Sequence, residues 1–250
     1  MKYLPINFLL IIVAFALIAV DAKFPDDPQP CKFGDSNCII QSFNYYLAEQ
    51  SNGDSSIALV NINPLKIKKI IIEQHGESPV NIKLTFLNNY LYGLNTTRAY
   101  KSRKGFGKDL TKKIEIRLKS DILMMIGDYE VDGKILVLPI TGKGKSNLTL
   151  IDNDCIMQFS GTPYRKNGDT YMKVNNMKLR FKPKQLYSDF TNLFNGDKEL
   201  GDNMNLFLNE NWKAIFDELH DKIAEAFARI YESVITNVFT KYPYEKYFIE

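Results

Sequence analysis

The last quarter of this chain constrains its fold more than any other stretch: a turn-rich clause runs into one unusually long amphipathic helix. In NLFNGDKELGDNMNLFLNENW, residues 192–212, Asn, Gly and Asp separate isolated apolar residues, a composition suited to turns and helix caps. From Asn209 or Asn211, either a suitable N-cap, the spacing predicts a helix to about Tyr242, with Pro243 ending it. Trp212, Ile215, Phe216, Leu219, Ile223, Phe227, Ile230, Tyr231, Val234 and Val238 recur at three- and four-residue steps and form one apolar stripe. Lys213, Asp217, Asp221, Glu225, Arg229 and Glu232 fall opposite it. At ~1.5 Å per residue, some thirty residues reach roughly 45–50 Å, more than the width of a small domain. Something extended must cover that stripe.

The middle of the chain supplies it. From Ile57 to about Phe181 the apolar period changes to two. Val80, Ile82, Leu84 and Phe86 alternate with polar residues, as do Ile114, Ile116 and Leu118, and then Tyr129, Val131, Gly133, Ile135 and Val137. Such alternation reads as antiparallel strands with one buried and one wet face. Gly127, Gly133, Gly142 and Gly144 suit bulges or bends that curl a sheet, with TGKGKS read as a hairpin turn. A flat sheet cannot cover so long a helix, whereas a curled one can. A shorter helix is expected near Cys38–Gln50, where Ile39, Ile40, Phe43, Tyr46 and Leu47 share a face.

Residues 1–22 read as a secretory leader, with Lys2, an apolar run over Phe8–Val20 and small residues at Val20-Asp21-Ala22. The run is short of the ~20 residues of a membrane span. About 228 residues then remain, 23–250, with no linker, repeat or low-complexity run to divide them, so one secreted, extracellular domain is expected. A formal net charge of +3 gives no argument for nucleic acid. In an oxidising compartment Cys31 and Cys38 are expected to pair, and no His or third thiol nearby suggests metal instead. Cys155 is left over, read as a buried free thiol. Asn95-Thr96-Thr97 and Asn147-Leu148-Thr149 are glycosylation sequons.

Enzyme signatures are missing. His75 and His220 are isolated, and no nucleophile elbow, phosphate loop or dinucleotide fingerprint occurs. Neither a catalytic residue, a metal nor a cofactor is expected. The basic run Lys101, Arg103, Lys104, Lys108, Lys112, Lys113 holds two glycines and reads as a mobile hairpin loop. It is either simply solvated or, across Lys101–Lys113, in transient contact with an anionic membrane.

Three separated blocks carry a family resemblance: CKFGDSNC, GDYEVDGKILVLPITGKGKSNLTL, and the end clause from NLFNGDKELGDNMNLFLNENWKAIF through PYEKYF. Together they resemble the takeout/juvenile-hormone-binding-protein family of insects, nearest the takeout branch. The resemblance implies an α+β, TULIP-like fold in which a strongly curved antiparallel sheet wraps the long C-terminal helix around an apolar tunnel. It also implies a monomeric, secreted carrier of a small lipophilic ligand, such as a juvenile-hormone-like terpenoid or a fatty acid. Hormone-binding members carry a second disulfide, for which this chain lacks a fourth cysteine.

On that reading Phe43, Phe86, Tyr129, Val131, Phe159, Trp212, Phe216, Leu219, Ile223 and Phe227 line the tunnel. Tyr129 offers a hydroxyl to an ether, epoxide or ester. The alternative is a secreted protein-interaction module whose interior is filled. Burying a C15 isoprenoid at ~0.8 kcal/mol per carbon yields roughly 12 kcal/mol gross, against ~4 kcal/mol or more for association and ~0.5–1.5 kcal/mol for one hydrogen bond. Chain length and shape should therefore select the ligand.

Overall fold

The computed structural model describes residues 23–250; the segment read as a leader, residues 1–22, lies outside them. In chain order the elements are β1 (Cys31–Lys32), α1 (Ser36–Ala48), β2 (Leu65–Gln74), β3 (Val80–Tyr92), β4 (Arg98–Arg103) and β5 (Ile114–Ile135). There follow β6 (Leu138–Lys166), β7 (Asp169–Lys182), β8 (Gln185–Phe190), α2 (Lys198–Glu210), α3 (Trp212–Phe239) and β9 (Phe248–Ile249).

The spine is the antiparallel pair β5–β6, in register from Ile114 opposite Phe159 to Ile135 opposite Leu138. Each end of this hairpin recruits different neighbours. β4 and β7 flank its open end, whereas β3 and β8 flank its closed end, with β2 outside β3. Where the two halves meet, the ladder skips Asp121 and Asp152 together, and Asp152 takes a left-handed φ of 49°. The inward set therefore shifts by one, from Leu118 and Ser120 to Leu123 and Met125. On the outer face Lys119 and Lys184 both pair with Asp152, bracing the break and holding its carboxyl below the usual carboxylate range.

A curled sheet exposes edges, and unpaired edge amides are costly if buried and adhesive if exposed. Here the helices close them with side chains. The Asn44 amide of α1 accepts from the Ala99 N–H of β4 at 2.7 Å and donates to its carbonyl at 3.0 Å. Asn205 and Asn209 of α2 clamp Phe190 and Ser188 of β8 in the same two-way fashion, at 2.7–3.0 Å. The i,i+4 rise on the helix, ~6 Å, matches the i,i+2 step on the strand, ~6.8 Å. Along β7, the N–H groups of Val174, Met177 and Phe181 donate to Thr236, Glu232 and His220 of α3.

Several sequence expectations need correction. The clause 192–212 holds a full helix: Asp197 caps the Leu200 N–H at 3.0 Å, Met204 and Leu208 are buried one turn apart, and Asn205 and Asn209 are edge clamps instead of turn formers. Asn211 separates α2 from α3 but makes no side-chain cap bond to α3, donating back to the Phe207 carbonyl instead. The long helix stops at Phe239, three residues before Tyr242. TGKGKS is mid-strand in β6: a Cβ on Gly142 would lie 2.7 Å from the Tyr129 hydroxyl, so the glycine makes room for a neighbour and forms no turn. The actual turn is Leu136-Val137, with Leu136 at φ 55° and Val137 81% exposed, so the alternation ran past its own hairpin.

The basic run is not all loop, and its middle is anchored in the core. Lys101 and Arg103 belong to β4, while Phe106 and Leu110 are buried. Phe106 sits among Phe43, Phe159, Phe239 and Phe248, with ring centroids 5.1–6.3 Å apart. β9 lies parallel to β1 beside this aromatic plug, and the Cys31–Cys38 disulfide ties β1 to α1.

Candidate functional site

Between α3 and the inner face of the sheet, the interior is incompletely filled. Ile223, Phe227, Tyr231, Val234 and Ile235 project from α3 toward the sheet and pack against the core, yet each keeps some accessible surface. That surface lines internal space. Among the described residues that space holds one chamber of about 200 Å³ toward the plug and α1, and another of about 140 Å³ under β2, β3 and the closed end of β5–β6. Each exceeds by far the ~10–15 Å³ that a single water requires. Among the described residues, no charged side chain lines either chamber.

Leu123, Phe181 and Tyr231 line both chambers and form the waist between them. Leu123 lies just past the Asp121/Asp152 break, so the bend of the sheet sets the position of the constriction. Phe181 is aimed by the His220 contact to its N–H and packs edge-on against Phe227 at 6.0 Å. Burial raises the Tyr231 hydroxyl well above the ordinary phenol range, with Cys155 adding to the shift. Burial likewise pushes the Cys155 thiol up to about 12, so it stays neutral, and it is free of any disulfide. A wider groove of about 520 Å³ runs along the α3–β7 seam, but Lys178, Arg180, Asp221 and Glu225 line it, so it offers no apolar enclosure.

Of the residues expected at a tunnel, Phe86, Val131, Trp212, Phe216, Leu219, Ile223 and Phe227 line the smaller chamber and Phe43 the larger. Phe159 and Tyr129 line neither. Phe159 belongs to the plug, 6.1 Å from Phe106. Tyr129 is 1% exposed behind Phe190, and its hydroxyl donates to the Thr191 carbonyl at 2.7 Å. That phenol fastens the segment after β8 to the sheet and is spent. Asn95 and Asn147 are both half-buried, Asn95 in a short 3₁₀ turn and Asn147 on the outer face of β6. His75 is exposed against Glu73, and His220 serves the seam.

The polar part of the lining went unmarked in the sequence. Thr97, Ser120 and Asn153 line the larger chamber beside the waist, and Ser120 and Asn153 face each other across β5–β6. The signal was available: Asn153 shares its period-two face with Cys155, Met157 and Phe159, so it had to point inward.

The comparisons with known proteins agree with this geometry. Residues 8–249 match the model of the family described as haemolymph juvenile hormone binding protein (JHBP). The circadian clock-controlled protein daywake of Drosophila melanogaster is 32% identical over 235 residues, 92% of this chain and 90% of that one. Its Drosophila yakuba counterpart is 28% identical over the same share. The crystal structure of Epiphyas postvittana Takeout 1 superposes with a TM-score of 0.75 at 25% identity, covering 89% of this chain and all of that one. A sheet curled about one long C-terminal helix, a plugged end, an uncharged interior and a match across nearly the whole length place this chain in the haemolymph juvenile hormone binding protein family.

Proposed function

We propose that this protein is a secreted carrier that holds one extended, small hydrophobic molecule in the two-chamber tunnel and performs no chemistry on it. The observation that carries this reading is the pair of uncharged chambers along the apolar stripe of α3, both bordered by Leu123, Phe181 and Tyr231. A filled interaction module needs no such space, because native interiors are close-packed. The family's name and the disulfide in β1–α1 support an extracellular setting. Ligand transfer at an anionic membrane through Lys101–Lys113 fits the exposed lysines there.

Native mass spectrometry of protein purified from its source should show one co-purifying lipophilic molecule per chain. Ile223→Trp should abolish uptake of a fluorescent fatty-acyl probe while leaving the denaturation midpoint nearly unchanged, since Ile223 borders space that is already empty. In a solid interior the same change overpacks and costs ~1–3 kcal/mol. A destabilised variant, together with a wild type that takes up no probe, would mean the interior is filled and the carrier reading is wrong.

A further inference from the structure

The wall of the larger chamber contains, beside the waist, a buried donor with nothing to bond. Asn153 is 0% exposed. Its Oδ1 accepts from the Lys182 N–H at 3.1 Å, which fixes the amide orientation and leaves Nδ2 on the other side. Nδ2 has no partner among the described residues; Asn153 lines the chamber, but Nδ2 is sealed behind its wall, so a ligand oxygen reaches it only by parting that wall. An amide N–H without a partner in an apolar enclosure is destabilising, so a group that satisfies it binds with that penalty relieved.

The neighbours say what kind of group fits. Thr97 donates to the Gly93 carbonyl at 3.0 Å, and Ser120 Oγ lies 2.7 Å from Thr97 Oγ1. With the Thr97 proton so used, Ser120 donates to Thr97, and neither hydroxyl proton is left for Asn153's partner. Among the described residues, no Lys or Arg lines either chamber. A carboxylate seated there would lose its hydration with no counter-charge, a cost that one amide hydrogen bond does not offset. A neutral carbonyl oxygen needs only the donor.

We propose that Asn153 Nδ2 is the polar anchor of the tunnel, a specificity-determining contact that seats the carbonyl oxygen of an uncharged ester-type lipid beside the waist. The acyl chain then runs past Leu123, Phe181 and Tyr231 into the smaller chamber. The inference rests on the carrier reading. It makes the tunnel selective for neutral carbonyl-bearing chains over both bare hydrocarbons and anionic acids of equal length.

Methyl hexadecanoate, hexadecane and hexadecanoate serve as probes at neutral pH, with dissociation constants measured for wild type, Asn153→Leu and Asn153→Ala. Asn153→Ala removes the donor and the acceptor together and adds no bulk. Wild type should prefer the methyl ester over the alkane by about 3–10-fold, the range of one net hydrogen bond. Both variants should lose that preference, and Asn153→Leu should retain the alkane affinity, which doubles as the check on folding. If wild type binds none of the three, the carrier reading itself fails. If wild type binds ester and alkane equally, or Asn153→Leu keeps the ester preference, the anchor is overturned and a resident water satisfies Nδ2. Should both variants misfold, the infrared carbonyl band of ¹³C-labelled ester bound to wild type still decides. A band shifted down from its position in hexane, and still shifted in Tyr231→Phe, supports Asn153 as donor; an unshifted band, or loss of the shift in Tyr231→Phe, overturns it.

Discussion

Cys155 shows how position decides the chemistry of a single residue. It faces inward from β6 with only 4% of its surface exposed, and the thiol is pushed up to about 12 from an ordinary value of 9.0, burial being the main cause. The folded state therefore keeps a proton that the unfolded chain releases, and stability falls as pH rises from about 9 toward about 12. The buried tyrosines share that direction, Tyr129 among them. Comparing denaturation midpoints of wild type and Cys155→Ala at pH 8 and about pH 10 removes their contribution, since both proteins carry it. The variant should lose less stability across that interval; parallel profiles would show that the thiol ionises equally easily in both states. At neutral pH the native thiol should also resist a charged alkylating reagent, and it should react once the chain is unfolded.

At the scale of elements, side-chain amides finish what the backbone ladders leave open. Asn205 and Asn209 each make a donor and an acceptor contact to β8, so Asn205→Leu and Asn209→Leu should each cost about 1–3 kcal/mol of stability. The Phe190 and Ser188 amides should exchange with solvent faster in the respective variants. Unchanged exchange would mean that β8 is held by β6 alone. These residues also mark where the sequence stopped being legible. Periodicity located the one-sided strands and the α3 stripe because burial imposes periods of two and 3.6 directly. It missed α2, because Asn205 and Asn209 look like turn residues until the strand they clamp is known. It misplaced the β5–β6 turn because Leu136 and Val137 carry no turn chemistry. Tyr129 looked like a ligand contact for a related reason. A buried hydroxyl announces that it has a partner, but only the fold reveals that the partner is Thr191.

For the whole molecule, the bend in the sheet and the bore of the tunnel are one feature. The skipped pair Asp121/Asp152 divides the β5–β6 spine, the strand partners change there, and the Leu123–Phe181–Tyr231 waist lies just inside the break. A ligand confined to one chamber is short, and a ligand that crosses the waist is long. Each added methylene buried is worth ~0.8 kcal/mol, close to fourfold in affinity. Across a series of methyl esters of increasing chain length, the dissociation constant for wild type should fall by up to about that factor per carbon until both chambers are full, then level off. Leu123→Phe narrows the waist without adding polarity, so short esters should bind as before while the levelling-off moves to a shorter chain. Titrating the series against both proteins tests it directly. If the two curves level off at the same length, ligand does not pass the waist, and the chambers are separate sites instead of one tunnel.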